Sequence, residues 1–211
     1  MNLGCGLVVY WNDAALTRRR LPVRFWPGPF MSIEKAKLLF EKYVTSSELK
    51  LHCKEVSTIM KFLAKDFGED AEKWEICGLL HDLDFDFEKR PAEHGKKTAE
   101  ILKQNGYPAD IVYAILSHNE DNLGVKRKSK MDFALSAADN VSGLIYAYAL
   151  LRKSIEGIEP AKIRKRMKEK AFAAAVSREK ISDIEKAGIS LDKFIEVSIK
   201  AMQSIAKEIG F

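Results

Sequence analysis

The chain contains four histidines, His52, His81, His94 and His118, and each falls on or beside a position where a helical period puts an apolar face. His52 lines up with Val56, Ile59 and Leu63, His94 with Thr98, Ile101 and Leu102, and His118 with Ile111, Ala114 and Ile115. That is the three-and-four spacing that stacks side chains along one side of a helix. His81 follows the apolar turn Ile76 to Leu80 and opens the run HDLDFDF, which carries Asp82, Asp84 and Asp86. Asp139 shares a face with Leu135, Ser142 and Tyr146, where an ionised carboxylate is costly without a partner or a bound cation. One histidine on an apolar face is most simply a satisfied core residue. Four of them from separate helices, joined by aspartates, predict a shared metal site. Mixed imidazole and carboxylate donors suit zinc, manganese, iron, cobalt or nickel better than calcium.

Helices must position these donors, because after Met31 nearly every segment has helical period and no alternating strand is visible. The chain reads as all-α. Ser32 caps a first helix through Val44; Ser47 to Phe67 is a second, ended by Gly68; Glu69 to Leu83 is a third, followed by an acidic loop to Pro91. Ala92 to Asn105 and Ala109 to Ser117 come next, with Pro108 at the first turn of the latter, and Asn119 to Ser129 is a polar loop. Lys130 to Ser154, Pro160 to Ala175, a short helix near Ser177, and Leu191 to Ile209 complete the pattern. Residues 31–211 are expected to form one helical domain, with a metal-binding core at about 47–154 and a C-terminal lobe of helices over 160–211.

At 211 residues and 46% hydrophobic, the chain can bury a sizeable core. Its formal net charge is +5, of which +3 lies in residues 1–30, where Arg18, Arg19, Arg20 and Arg24 face only Asp13; specific nucleic-acid binding is not expected from the remainder. Residues 1–30 differ in composition from the rest and read as an extension or a mis-called start; their apolar stretch precedes the basic cluster, the reverse of a secretory signal. The apolar segment Phe133 to Leu151 is interrupted by Asp139 and Asn140 and reads as a buried helix, not a membrane span. Three cysteines, Cys5, Cys53 and Cys77, offer no disulfide framework, so a cytoplasmic protein is expected. Cys53 and Cys77 read as small hydrophobes, although each lies near a histidine.

The order His52, His81-Asp82, His94, His118 and Asp139, with HDLD in place of HDIG and a downstream AADN, resembles the HD superfamily of metal-dependent phosphohydrolases over roughly Leu51 to Tyr148. KAFAAAVSREKI and GISLDKFIEVSIKAMQSIAKEIG are similar to a subfamily of uncharacterised predicted HD hydrolases. The resemblance implies a helical bundle in which His52, His81, Asp82 and Asp139 hold one divalent ion. His94 and His118 then fall where binuclear members place ligands for a second, with Asp82 bridging. Manganese, zinc, cobalt, nickel, iron and magnesium are the candidate ions.

Such ions activate water for attack on a phosphate ester, and Asp82 is the expected catalytic carboxylate that orients or deprotonates it. The expected substrate is a small phosphorylated molecule, a mono- or diester such as a nucleotide. Lys89, Arg90, Lys97, Lys170 and Arg178 are the candidate phosphate contacts, with Lys96 beside them. Asp84 and Asp86 read as loop acids facing water, and Glu93, Asn119 and Glu120 as bystanders. The basic run AKIRKRMKEK, with no interleaved aromatics, reads as a solvated helix face. Two other functions fit the same ligand order: a di-iron oxygenase on the same scaffold, and a non-catalytic metal- or nucleotide-binding module. A homodimer is compatible with all three.

Overall fold

The computed structural model describes residues 31–211, and among them every regular element is helical. Residues 1–30, read above as an extension, lie outside the described residues. The α-helices are α1 (Ile33–Tyr43), α2 (Ser47–Phe67), α3 (Ala71–Leu80), α4 (Lys96–Gln104), α5 (Ala109–His118), α6 (Glu120–Leu123), α7 (Lys130–Arg152), α8 (Pro160–Lys168), α9 (Arg178–Ser182) and α10 (Leu191–Gln203). Short 3-10 turns cover Asp183–Ala187 and Ala206–Ile209.

The strongest local signals hold. The Ser32 side chain accepts the Lys35 amide ahead of α1, and Gly68 ends α2 in the left-handed conformation at φ 68°. At α7, Ser129 and Asp132 make a reciprocal capping box. Other boundaries differ from expectation. Helix α3 stops at Leu80, so His81 lies beyond its last turn; α4 starts at Lys96, which puts His94 in the turn before the helix instead of on its face. Pro108 is the residue before α5, α6 interrupts the loop after it, and α8 ends at Lys168.

Helix α2 is the axis of the packing and lies against α3, α7 and α10. Its approach to α3 is set at Gly78, where a Cβ would stand 2.8 Å from Ser57 Cα and 2.9 Å from Ser57 N. Only glycine lets the two backbones come that close, and the Ser57 hydroxyl donates across the contact to the Glu75 carbonyl at 2.9 Å. The crossing sets His52, from α2, beside His81, with ring centroids 5.3 Å apart.

Buried apolar side chains from α1 through the last turn form one contiguous cluster, with Ile59, Leu80, Ile115, Leu144 and Phe194 fully enclosed. Cys53 and Cys77 belong to it, and burial drives both thiol pKa values up, so they pack as neutral hydrophobes. No helix among the described residues is long and apolar enough to cross a membrane.

Candidate metal centre

Five elements deliver the six expected donors to one place. His52 comes from α2, His81 and Asp82 from the turn after α3, His94 from the turn before α4, His118 from the last residue of α5, and Asp139 from the middle of α7. His52 Nε2 lies 3.1 Å from Asp139 Oδ1 and 3.9 Å from Asp82 Oδ2; His81 Nε2 lies 3.2 Å from Asp82 Oδ1 and 3.9 Å from Asp139 Oδ1. On the other side of Asp82, its Oδ1 stands 3.2 Å from His94 Nε2 and 3.5 Å from His118 Nε2, and those two nitrogens are 3.0 Å apart. The donor atoms therefore make two groups of metal-binding dimensions, His52 with His81 and Asp82, and His94 with His118 and Asp82. Asp82 is common to both.

The Nδ1 contacts decide what the Nε2 atoms can do. His81 Nδ1 faces the Gly78 carbonyl at 2.8 Å, His118 Nδ1 faces the Ile115 carbonyl, and His94 Nδ1 faces Asp84 Oδ1 at 2.8 Å. His52 Nδ1 is 3.4 Å from the Ser142 hydroxyl, which spends its own proton on the Asp139 carbonyl. Each Nδ1 thus meets an acceptor and carries the proton, which leaves each Nε2 as a lone pair aimed at carboxylate oxygens. Acceptors facing acceptors repel unless a cation lies between them. His81 Nε2 is fully buried with no hydrogen-bond partner, which is the signature of a missing electrophile. The donor set and its orientation fit a divalent transition ion.

The same contacts shift the pKa values of several donors. Burial pulls the His94 pKa down, but its bonds to Asp82 and Asp84 outweigh that and push it up to about 10. Burial raises the pKa of Asp82, yet the charge of His81 and the bonds from His118 and His94 hold it well below the usual carboxylate range. Asp139 is lowered the same way, by His52 and His81 against burial. The centre is most open at His52 and Asp139, whose side chains are 26% and 28% exposed; His94 is 14% exposed, whereas His81 and Asp82 are 0% and 8%.

Asp84 and Asp86 do not face water as the sequence reading expected. Asp84 is fully buried; one oxygen orients His94 and the other accepts the amides of Gly95 at 2.7 Å and Thr98 at 3.1 Å, capping α4 from eleven residues upstream. Asp86 reaches back to the start of α2, where it accepts from the Thr45 amide at 2.6 Å and the Ser46 amide at 2.9 Å. Both hydroxyls of that pair also bond it. Asn119 is no bystander either: its amide donates to the Pro91 and His94 carbonyls at 2.8 and 3.0 Å, fixing the His94 turn. Polar residues placed every second position in HDLDFDF were the one available sign that this segment is a fastened turn.

The candidate phosphate contacts separate. Lys89 folds back on Phe85, donating to its carbonyl at 2.8 Å, and Phe85 in turn packs on His94 with ring centroids 5.3 Å apart. Arg90 forks onto Glu88, Lys97 pairs with Glu100, Lys96 pairs with Glu93, and Lys170 is exposed in the turn after α8. Arg178 has a different task from the expected one. Its guanidinium donates to the carbonyls of Glu169, Phe172, Ala173 and Val176, which holds the small-residue turn together and leaves no fork for phosphate. Glu120 pairs with Lys126 and the partly buried Arg127. The basic α8 does meet aromatics, supplied by other segments, since the Arg166 guanidinium lies 5.3 Å from the Tyr148 ring and 4.9 Å from that of Phe172.

Residues 51–144, the segment that supplies all six donors, match the HD domain family model, which is consistent with the HD superfamily. Among curated proteins it is 33% identical to Ribonuclease Y of Oleidesulfovibrio alaskensis over 140 residues, 59% of this chain and 26% of that protein. It is also 34% identical to Ribonuclease Y of Desulfotalea psychrophila over 118 residues, 53% of this chain and 22% of that protein. The chain therefore spans about a quarter of the length of these relatives. No solved structure matches it.

Proposed function

We propose that the protein is a metal-dependent phosphohydrolase that cleaves a phosphate mono- or diester of a small molecule such as a nucleotide. The observation that carries this reading is the pair of donor groups meeting at Asp82, with four imidazole lone pairs turned toward two carboxylates. In this reading His52, His81, Asp82 and Asp139 hold one divalent ion, and His94, His118 and Asp82 hold a second; manganese, zinc, cobalt, nickel, iron or magnesium would serve. When bound, such ions supply a hydroxide-like nucleophile near neutral pH and a positive clamp for phosphoryl oxygens. The chain's own contribution is orientation. Asp84, Ser142 and the Gly78 and Ile115 carbonyls fix the four rings, and Asp82 directs the attacking water and takes its proton. Lys89, which reaches Phe85 next to His94, would be the contact for a phosphate oxygen in this reading.

The name of the relatives supports phosphate-ester hydrolysis over the second reading, a di-iron oxygenase with the same ligand order, and it keeps an RNA substrate within the class to be screened. A closed, non-catalytic metal site would leave no exchangeable position, against which the exposure of His52 and Asp139 speaks. We take residues 31–211 as one unit, cytoplasmic and able to dimerise. The test is elemental analysis of protein purified without chelator, followed by phosphate release from a panel of esters. About two ions per chain, falling to about one in His118→Ala, with turnover abolished by Asp82→Ala, is expected. Iron with oxygen uptake and no phosphate release would replace the reading with the oxygenase; Asp82→Ala retaining metal and full turnover would remove Asp82 from its role.

A further inference from the structure

Phe85 and Phe87 are the large aromatic side chains left mainly in water among the described residues, at 49% and 53% exposure. Their display is built into the turn. Asp84 and Asp86, the residues that alternate with them, are each held by several hydrogen bonds, to His94 and the start of α4 on one side and to the start of α2 on the other. The backbone between is closed by bonds from the Phe85 amide to the Asp82 carbonyl at 3.1 Å and from the Phe87 amide to the Asp84 carbonyl at 3.2 Å. With both carboxylates turned in and the backbone fixed, the two phenyl rings point out. Hydrophobic burial gives no reason for this arrangement.

The two rings differ in what they touch. Phe87 leans on Tyr43, with centroids 6.3 Å apart. Phe85 meets the His94 ring nearly at right angles, 86° at 5.3 Å, so a flat apolar surface begins one ring away from the donors at Asp82. The Lys89 ammonium lies 5.5 Å from the Phe85 centroid on an exposed side chain that makes no ion pair among the described residues. An exposed phenyl ring thus stands between a cation and the metal-competent donors, 5.5 Å from the Lys89 ammonium and 5.3 Å from the His94 ring.

We propose that Phe85 is a specificity-determining residue that stacks against the nucleobase of a nucleotide substrate, with Lys89 on its phosphate. This inference rests on the phosphohydrolase reading and narrows its substrate class. A base has a π face that an exposed phenyl ring accepts without regard to sequence, whereas glycerol phosphate offers no π face.

The experiment is calorimetric binding of adenosine 5′-monophosphate and of glycerol 3-phosphate to the metal-loaded wild type, Phe85→Ala and Phe85→Trp, with metal per chain measured on each. Expected is an approximately 10-fold or greater loss of affinity for the nucleotide in Phe85→Ala, recovery in Phe85→Trp, and glycerol 3-phosphate affinity unchanged within about twofold. Absence of nucleotide binding by the wild type, or equal affinity in Phe85→Ala, overturns the proposal. Parallel loss for both ligands overturns it too, since Phe85 would then only support His94. A dimer that becomes monomeric in Phe85→Ala with nucleotide affinity unchanged assigns the surface to a second copy of the chain instead. Nucleotide binding that depends on Phe85 without phosphate release from any ester would sink the hydrolase reading and leave this one standing.

Discussion

Asp84 Oδ1 accepts the Nδ1 proton of His94 at 2.8 Å while Asp84 Oδ2 accepts the first amides of the helix that follows His94. One carboxylate therefore sets both the direction of the imidazole and the position of the turn that carries it. Asp84→Ala is expected to lower affinity for an ion at the His94 and His118 group by about 10- to 100-fold. The ion at His52, His81 and Asp139 should remain. Metal per chain after dialysis against graded chelator separates the two; equal loss of both ions would show that Asp84 serves the fold alone.

Asp86 acts on α2 in the same manner. The amides and hydroxyls of Ser46 and Thr45 hold its carboxyl well below the usual range, so its contribution to stability is present above the unfolded value of about 3.9 and disappears as pH falls through the folded one. Asp86→Asn is expected to cost about 1 kcal/mol at neutral pH. Urea titrations of both proteins should show that gap closing as pH drops below about 4.

Glu55 runs in the opposite direction. It is 3% exposed on α2, makes no hydrogen bond or ion pair among the described residues, and burial pushes its pKa up to about 8. A carboxyl raised in the folded state contributes stability that is whole below the unfolded value of about 4.3 and is lost as pH rises through the folded value. Glu55→Gln should match the wild type near pH 4 and become the more stable protein as pH rises. The difference should level off above pH 8 at on the order of 5 kcal/mol. Thermal melts across that range decide it.

At Gly78 the α2 and α3 backbones touch, so Gly78→Ala must push them apart. Destabilisation of about 2 kcal/mol or more is expected. Weakened metal binding should accompany it, because His52 and His81 come from the two elements being separated. A stable Gly78→Ala protein with unchanged metal affinity would show that the crossing has slack.

The parts of this fold that could be read from the sequence are those whose cause is local. Ser32, Gly68 and the three-and-four period of α2 each act within a turn of themselves, and they placed α1 and α2 correctly. The donor residues could be read for a related reason, since an imidazole or carboxylate on an apolar face is anomalous wherever the helix ends up. The functions of Asp84, Asp86 and Asn119 could not be read this way. Their partners lie from ten to forty-one residues away, and nothing in HDLDFDF says which amides will be within reach. The start of α4 was misplaced for the same reason: the carboxylate that caps it lies eleven positions before the cap residue Gly95. Arg178 was misread because the positive φ of Ala173 and the four carbonyls it gathers exist only once the turn has closed.

The bond from Asp86 to the amides of Thr45 and Ser46 makes the residues just ahead of α2 a remote reporter on the ligand-bearing segment. Those two amide protons are held from exchange with heavy water by Asp86, four and five residues from Asp82 and His81. Their exchange half-lives thus form a clock for how often the ligand-bearing segment lets go, readable on a part of the chain that touches neither ion nor substrate.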